Sequence, residues 1–454
     1  MIRQRAMYIG SLLIMLAAVM FAGCQQMAQP FIDSGNARIN EKNYEQAITD
    51  FSRAIRIDPG SSQAYAARGR VYNLLKQYDL AIADLSKAIE LDPGMAKAYF
   101  RRGNVYLGGE EWEKAIADYS KAAELQPDMA DAYSMRAWIY ESQYGDYARA
   151  IEDYSRAIAI NGKFGGYYGG RGWCYRQLKQ YDQALADFNK AIESDNKTAN
   201  KYINRGSCYL DMKQWGNALS DFNRAIELDG NNAQNYINRA YCLINMKKYD
   251  DAIVDFTAAR SMNYANLDSL NGGLSMCYEA KKDYATAISL CSEAIQNNPQ
   301  SSSNYNNRGY LYVLTGDYNK ALPDIEKALE LTSDNTSIWS VIDSRGWYYF
   351  KTGDMEKALA DLNRSLELNS DPIVYCHRAQ VYLATREYEK AVADLCRAVE
   401  MDDQYSEAYY FRGLGYKALG RTEKAIADFQ SAIRFSGDDS ISALATGELN
   451  GLKR

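Results

Sequence analysis

The chain has 454 residues and carries 52 Lys and Arg against 58 Asp and Glu, a formal net charge of −6. An acidic balance without a long basic run argues against a nucleic-acid partner, whose recognition needs clustered positive charge. Gly (31) and Pro (7) are too few for a collagen, a linker or a loop-rich β-protein, 47% hydrophobic residues are too few for a multi-span membrane protein, and one histidine, His377, leaves little for metal or acid–base sites.

The first element is a targeting segment. Arg3 and Arg5 precede an uncharged run from Ala6 to Gly23, ending Phe21-Ala22-Gly23-Cys24. A short basic region, an apolar core and small residues before a cut point describe a secretory signal. The Cys after Ala-Gly resembles a bacterial lipobox, although Phe21 stands where that motif usually has Leu. The resemblance implies a lipoprotein signal peptide at 1–23, a diacylglycerol on Cys24, and a lipid anchor with a short tether over 24–30. It implies the bacterial cell envelope as location, and Gln25, where an Asp would retain the protein at the inner membrane, points to the outer membrane facing the periplasm. Two other readings stay open: an uncleaved membrane helix, since 18 uncharged residues just span a bilayer, and ordinary secretion.

The next elements repeat. An aromatic or equivalent anchor recurs at Tyr44, Tyr78, Trp112, Tyr147, Tyr181, Trp215, Tyr249, Tyr284, Tyr318, Met355, Tyr388 and Thr422, at gaps of 33 to 37 residues. A fixed period near 34 over twelve units means a solenoid. Ala follows each anchor by three residues, a bulky apolar residue follows most by seven, and Ala follows by ten in all but Ser365. Those spacings share one helical face. In Tyr65, Gly69 and Tyr72 the preceding segment shows a second such face. Each unit is therefore helix, short turn, helix, ended by pairs such as Asp58-Pro59. Pro323 is expected within about the first turn of its helix, where a missing N–H costs least.

The run Tyr65, Gly69, Tyr72, Tyr78, Ala81, Leu85, Ala88 and Pro93 resembles the tetratricopeptide repeat through a full unit. The resemblance implies an all-α, right-handed superhelical solenoid with first helices lining its concave side. The array is placed at 31–437, with insertions in the fourth and tenth repeats. Residues 438–454 form an end cap, with Ile441, Leu444 and Leu449 facing inward.

Arg recurs before the first-helix glycine, and Asp six residues after the anchor. Repeat eight loses both, to Leu274 and Leu290. Joint loss suggests a structural ion-pair ladder, of which Arg205 with Asp221 is one rung, rather than an anion-binding row. Cys174, Cys208, Cys242 and Cys277 share one apolar slot in four successive repeats and are expected to be buried free thiols, at no metal-ligand spacing. Gly165, Gly166, Gly169, Gly170 and Gly172 serve as a hinge, as close packing, or as an open groove floor. No phosphate-loop pattern surrounds them.

First-helix residues off the packing face should line the groove. The slot after the usual glycine holds Trp138, Trp173, Tyr241, Tyr310 and Trp347, and a neighbouring slot adds Phe100. Aromatic anchors are what peptide interfaces use, although packing between adjacent first helices would also place them there. The basic-and-Asn pattern by which some members of the family clamp a peptide C-terminal carboxylate is absent, which disfavours that mode. The expectation is a non-enzymatic envelope scaffold or adaptor that takes a protein or peptide ligand in the groove. It has no cofactor, no catalytic residues and no nucleic-acid partner, and it touches the membrane through its N-terminal lipid. The alternative is a peptidoglycan- or glycan-binding module.

Overall fold

The computed structural model describes residues 23–262, 264, 266–332, 337–436 and 439–452. Residues 1–22, nearly all of the segment expected to be a signal peptide at 1–23, lie outside them. The described residues are helical hairpins joined by turns and short loops, with no strand among them. They divide into two compact units, Met1–Gln214 and Trp215–Arg454.

Unit one holds α1 (23–40), α2 (Tyr44–Ile57), α3 (Ser62–Leu74), α4 (Tyr78–Leu91), α5 (Ala96–Gly108), α6 (Trp112–Leu125), α7 (Ala130–Ser142), α8 (Tyr147–Ile160), α9 (Gly165–Gln177), α10 (Tyr181–Ser194) and α11 (Ala199–Asp211). Unit two begins with α12 (Trp215–Leu228), α13 (Ala233–Asn245), α14 (Tyr249–Ser261), α15 (Leu267–Ala280), α16 (Tyr284–Asn297), α17 (Ser302–Thr315) and α18 (Tyr318–Leu331). It continues with α19 (Ile338–Thr352), α20 (Met355–Leu368), α21 (Pro372–Ala384), α22 (Tyr388–Met401), α23 (Ser406–Ala418), α24 (Thr422–Phe435) and α25 (Asp439–Leu452). Odd-numbered helices are the first of each hairpin. Within each unit most successive odd helices touch one another, as α3 touches α5 and α17 touches α19, and among the described residues no contact of that extent joins successive even helices. The odd helices therefore lie on the inner side of each stack.

Close packing explains the period. All twelve anchor+3 alanines, from Ala47 to Ala425, are fully buried, and Phe51, Leu85 and Phe429 fill the gap beside them. A Cβ on Gly69 would stand 2.8 Å from Leu85 Cγ and 3.2 Å from the Ala81 carbonyl oxygen, so only a residue without one fits this crossing. Each first helix ends in a left-handed residue: Lys76, for example, has φ 57, and the Gln77 N–H reaches back to the Tyr72 carbonyl at 2.9 Å. That 6→1 bond is a Schellman closure. The insertion in repeat four is absorbed at this turn, by Gly145 with φ 60.

Three expectations change. Residues 24–30 are not a loose tether: they are the first turns of α1, with Ala28 buried in the core of repeat one. In the cap Ile441 and Leu449 are buried, but Leu444 is 52% exposed and Ala445 takes its place inside, one position on. Pro323 is the sixth residue of α18, a turn later than expected, and so removes an internal N–H donor. All eight cysteines are free thiols. The stacked set is buried, and burial pushes Cys208, Cys242 and Cys277 up to about 11.

The ladder is structural. Nine arginines clasp the Asp of their own hairpin in a two-pronged bond, as in Arg68 with Asp84 (Nε to Oδ2 2.7 Å, Nη2 to Oδ1 2.9 Å) and Arg239 with Asp255 (2.7 and 2.6 Å). The third nitrogen reaches the preceding repeat: Arg68 Nη1 donates to Ser52 at 2.9 Å, Arg171 to Ser155 at 2.9 Å, Arg239 to Asn223 at 2.8 Å. The hydrogen bonds to Asp84 raise Arg68 above the ordinary guanidinium range against the opposing cost of burial. In repeat eight Leu274 and Leu290 are buried in one core cluster. Arg205 lies in unit one, where it donates to Asn189 at 2.6 Å, and the buried Asp221 lies in unit two.

Arg239 with Asp255, a rung within unit two, carries the test. Arg239→Leu or Asp255→Leu alone should cost about 3 kcal/mol by orphaning a buried charge. Leu at both positions should recover most of that loss, as Leu274 and Leu290 do. Urea melts of the four proteins check it. A double variant no more stable than the sum of the singles would contradict the pairing.

Candidate functional site

The inner faces of the odd helices carry cavities in both units. In unit one, a cavity of about 460 Å³ opens between α3, α5 and α7. Phe100 forms part of its wall, beside Arg70, Lys97, Arg101, Asn73 and Asn104. Arg101 gives one hydrogen bond to the Ala66 carbonyl at 3.2 Å, and burial together with the charge of Arg70 lowers its pKa. A cation held where its charged form is disfavoured attracts an anion. The fold thus assembles the basic-and-Asn set that no single slot of the sequence shows. It draws these residues from two repeats, and the clustering depends on how α3 and α5 stack.

A second cavity of unit one, about 360 Å³, is apolar. Leu107, Met135, Trp138, Tyr154, Phe164 and Tyr167 line it. Trp138 is 41% exposed and Phe164 54%, large rings that face solvent on the inner side. The two cavities meet at one bond, from the Tyr167 hydroxyl to Asp131 Oδ1 at 2.8 Å, since Asp131 lines the first and Tyr167 the second. Phe164 stacks edge-on against Tyr167 with ring centres 4.7 Å apart. Phe164 stands outside the aromatic slots, at the cap position before α9, so slot counting misses it.

The glycine cluster is mostly close packing. A Cβ on Gly170 would meet the Tyr154 ring at 2.4 Å, one on Gly166 the Phe164 ring at 2.5 Å, and one on Gly172 the Phe188 ring at 2.9 Å. Gly169 alone of the five faces open space. Beneath Trp138, the half-buried Glu141 accepts the Tyr154 hydroxyl at 2.9 Å, and burial raises its carboxyl.

The remaining slot aromatics differ in kind. Trp173 is partly buried, edge-on to Tyr147 at 5.7 Å, and lines neither of these cavities. Tyr241 packs at right angles on Phe256 and donates its hydroxyl to the Ser269 carbonyl at 3.1 Å, a packing role. Trp347 does not line the groove as expected: it is 5% exposed. It stacks on His377 at 4.2 Å with 20° between the rings, and Lys351 Nζ sits over the indole, 4.4 Å from the ring centre. Its neighbour comes from the next repeat, so nothing within its own helix signals the burial.

Tyr310 does line a cavity, in unit two. This space of about 230 Å³ lies among α15, α17, α19 and α21, with Glu279, Asn306, Trp339, Asp343 and His377 on its wall. His377 Nδ1 lies 2.9 and 3.1 Å from the two oxygens of Asp343, and both residues are buried. An ionised carboxylate can only accept, so Nδ1 carries the proton. Cys376 is no nucleophile beside it: burial pushes its thiol up to about 12, and it is 1% exposed. Among the described residues no cluster of His, Cys, Asp and Glu could hold a metal ion, and no helix is long and apolar enough to cross a membrane.

Burial raises the Glu279 carboxyl from 4.5 to about 7. Between those values the folded chain holds a proton that the unfolded chain has lost, so stability falls as pH rises through the window and then levels off. Glu279→Gln should flatten that part of the profile and melt higher than the parent above neutrality. Parallel thermal melts from pH 4.5 to pH 8 check it, and parallel profiles for the two proteins would contradict the assignment.

Tetratricopeptide-repeat models match residues 28–61, 69–108, 96–129, 130–164, 167–196, 199–232, 222–254, 273–301, 302–335, 343–372 and 376–440. No curated protein matches the sequence. Among solved structures the chain is similar to MamA at 28% identity, over 36% of this chain and 95% of that one, with a TM-score of 0.34. It is similar to YrrB, described as a TPR protein with an unusual peptide-binding site, at 24% identity over 40% and 92%, TM-score 0.36. It is also similar to the APC/C hetero-tetramer Cut9–Hcn1, at 15% identity over 91% and 94%, TM-score 0.46. With repeat models matched along most of its length and hairpins of matching period, the chain belongs to the tetratricopeptide repeat family.

Proposed function

We propose that this chain is a non-enzymatic scaffold of the bacterial cell envelope, anchored by lipid on Cys24, that binds a protein or extended peptide along the inner face of unit one. The observation that carries the binding site is the pair of adjoining cavities, one apolar around Trp138 and Phe164, one basic around Phe100 and Arg101. An exposed aromatic anchor in a pocket with polar groups at its rim is the usual composition of an interface hot spot. The ligand best suited to both cavities is a stretch with an apolar side chain followed by a carboxylate. The family fold supports protein binding in general, and the choice of ligand chemistry rests on these residues.

The lipid anchor rests on Phe21-Ala22-Gly23-Cys24. Cys24 stands on the first turn of α1 and Ala28 is already in the core, so a lipid on Cys24 would hold the array close to the membrane surface.

Two outcomes test this reading. Cys24→Ala should leave a soluble or precursor-length protein on fractionation, and a mature-length variant still in membranes would sink the anchor. Trp138→Ala combined with Phe164→Ala should reduce partner capture from crosslinked envelopes by about tenfold or more, with little change in melting. Trp112→Ala, at a partly buried anchor position, should instead lower the melting temperature. Undiminished capture by the Trp138/Phe164 variant would remove the inner-face site, and enrichment of cell-wall fragments in place of proteins would favour glycan binding.

A further inference from the structure

The cavity of unit two has the opposite chemistry to that of unit one. Its polar wall carries three carboxylates, Glu279, Asp343 and Asp371. Glu279 forms no ion pair among the described residues, and its carboxyl sits where burial disfavours the charge. Asn306 has its Oδ1 shielded from solvent with no donor reaching it. His377 holds its Nδ1 against Asp343, which leaves Nε2 as the only other polar atom of the ring. Tyr310 and Trp339 supply aromatic faces on the same wall. An orphaned acceptor is costly to keep buried, and a water, an ion or a ligand group that donates to it removes that cost. Aromatic faces beside carboxylates attract a cation, which gains from both.

The size narrows the class. About 230 Å³ falls below the roughly 300–1,000 Å³ of pockets for whole cofactors or drug-sized ligands. It fits the head of one side chain. The periodic ladder does not explain the cavity either. Repeat eight, which supplies Glu279, is the repeat that has lost both ladder charges, and repeat ten supplies Asp343 at a first-helix position that is apolar in several other repeats, as at Ala66, Ile203 and Ile237.

We infer that the cavity among Glu279, Asn306, Tyr310, Trp339, Asp343 and His377 is a binding pocket for a cationic hydrogen-bond donor, the guanidinium or ammonium head of a basic side chain on a peptide ligand. The inference rests on the reading of the inner faces as the ligand-binding surface, and it places in unit two a specificity distinct from the carboxylate preference proposed for unit one. The cation would donate to Glu279 and Asn306 while its flat face or stem lies on the aromatic wall. Unit one takes no part, so this pocket can fail while the Trp138 site stands.

His377 is the only histidine in the chain, so the full-length protein labelled with ¹⁵N-histidine gives a single imidazole reporter inside the pocket. At about pH 8, where Glu279 is ionised, and at constant ionic strength, the protein is titrated with N-acetyl-arginine amide, N-acetyl-lysine amide and N-acetyl-citrulline amide. Citrulline keeps the shape of arginine and lacks its charge. A saturable movement of the His377 signal with arginine or lysine, and none with citrulline over the same range, is expected; the stronger of the two cations identifies guanidinium or ammonium. Glu279→Gln should weaken the response at least about tenfold, the scale of one charge-assisted hydrogen bond. Asn306→Leu should weaken it too, without loss of melting temperature, because Oδ1 has no partner to lose in the free protein. No saturable shift with either cation, an equal shift with citrulline, or unchanged binding in a folded Glu279→Gln or Asn306→Leu protein would overturn the assignment.

Discussion

The stack is held by an arginine that serves two repeats at once. Two of its nitrogens are fixed on the Asp of its own hairpin and the third on a Ser or Asn of the hairpin before, as in Arg102 with Asp118 and Ser86. Tyrosines three residues before and four after lie near the guanidinium, with ring centres 5.7 and 5.9 Å away for Arg102. A hairpin whose second helix packs through Ala and one large apolar side chain has little surface left to hold its neighbour in register. The guanidinium provides a directional contact in that place, since its planar fork fixes distance and angle together. Its burial is tolerated because the charge is matched by the carboxylate it clasps, and that couples the two: lose one partner and the other is stranded. Repeat one meets the same demand differently, with Ser34 and Arg38 both on Asp50 at 2.7 Å.

This constraint also sorts the arginines by role. In ladder arginines such as Arg68, Arg102 and Arg239 all three nitrogens are engaged within the stack. The cations free to meet a ligand are off the ladder, and Arg70 and Arg101 with Lys97 gather at a single cavity of unit one. Departures from the repeat are informative for the same reason. Where Leu274 and Leu290 replace the ladder, the helix of Leu274 itself carries Asn271, buried with both amide atoms unpartnered. Sequence rules are broken most often at sites kept for function.

The hairpins were legible because one interaction repeats: small residues at Ala81 and Ala88 with Leu85 between them can only mean a close crossing, and each recurrence strengthens the inference. The ladder was legible through its failure in repeat eight. Its third arm was not, because Ser52, Ser86 and Asn223 look like ordinary surface residues until the preceding repeat is stacked on them. Of the groove-slot tryptophans Trp138 is exposed on a cavity wall, whereas Trp347 is buried against His377, a residue in the next hairpin. Periodicity fixes which side a residue leaves its helix; it says nothing of what a neighbouring repeat places there. Phe164 and the basic cluster escaped for a related reason, since they depend on loop position and on residues from several helices. At 24–30, Ala28 and Ile32 continue the helical face of repeat one upstream of Ile39, and the lipobox drew attention away from that pattern.

The account holds that structural charges bind the repeats together and leave the inner face of unit one to the ligand. Site-specific photocrosslinking in intact envelopes tests this directly. A photoreactive residue is placed at Ser134, which lines the cavity around Trp138, or at Glu152, exposed on α8 among the outer helices. The account predicts a discrete protein adduct from position 134 that is lost when Trp138→Ala is added, and none from position 152. Adducts from position 152 with none from position 134 would contradict it.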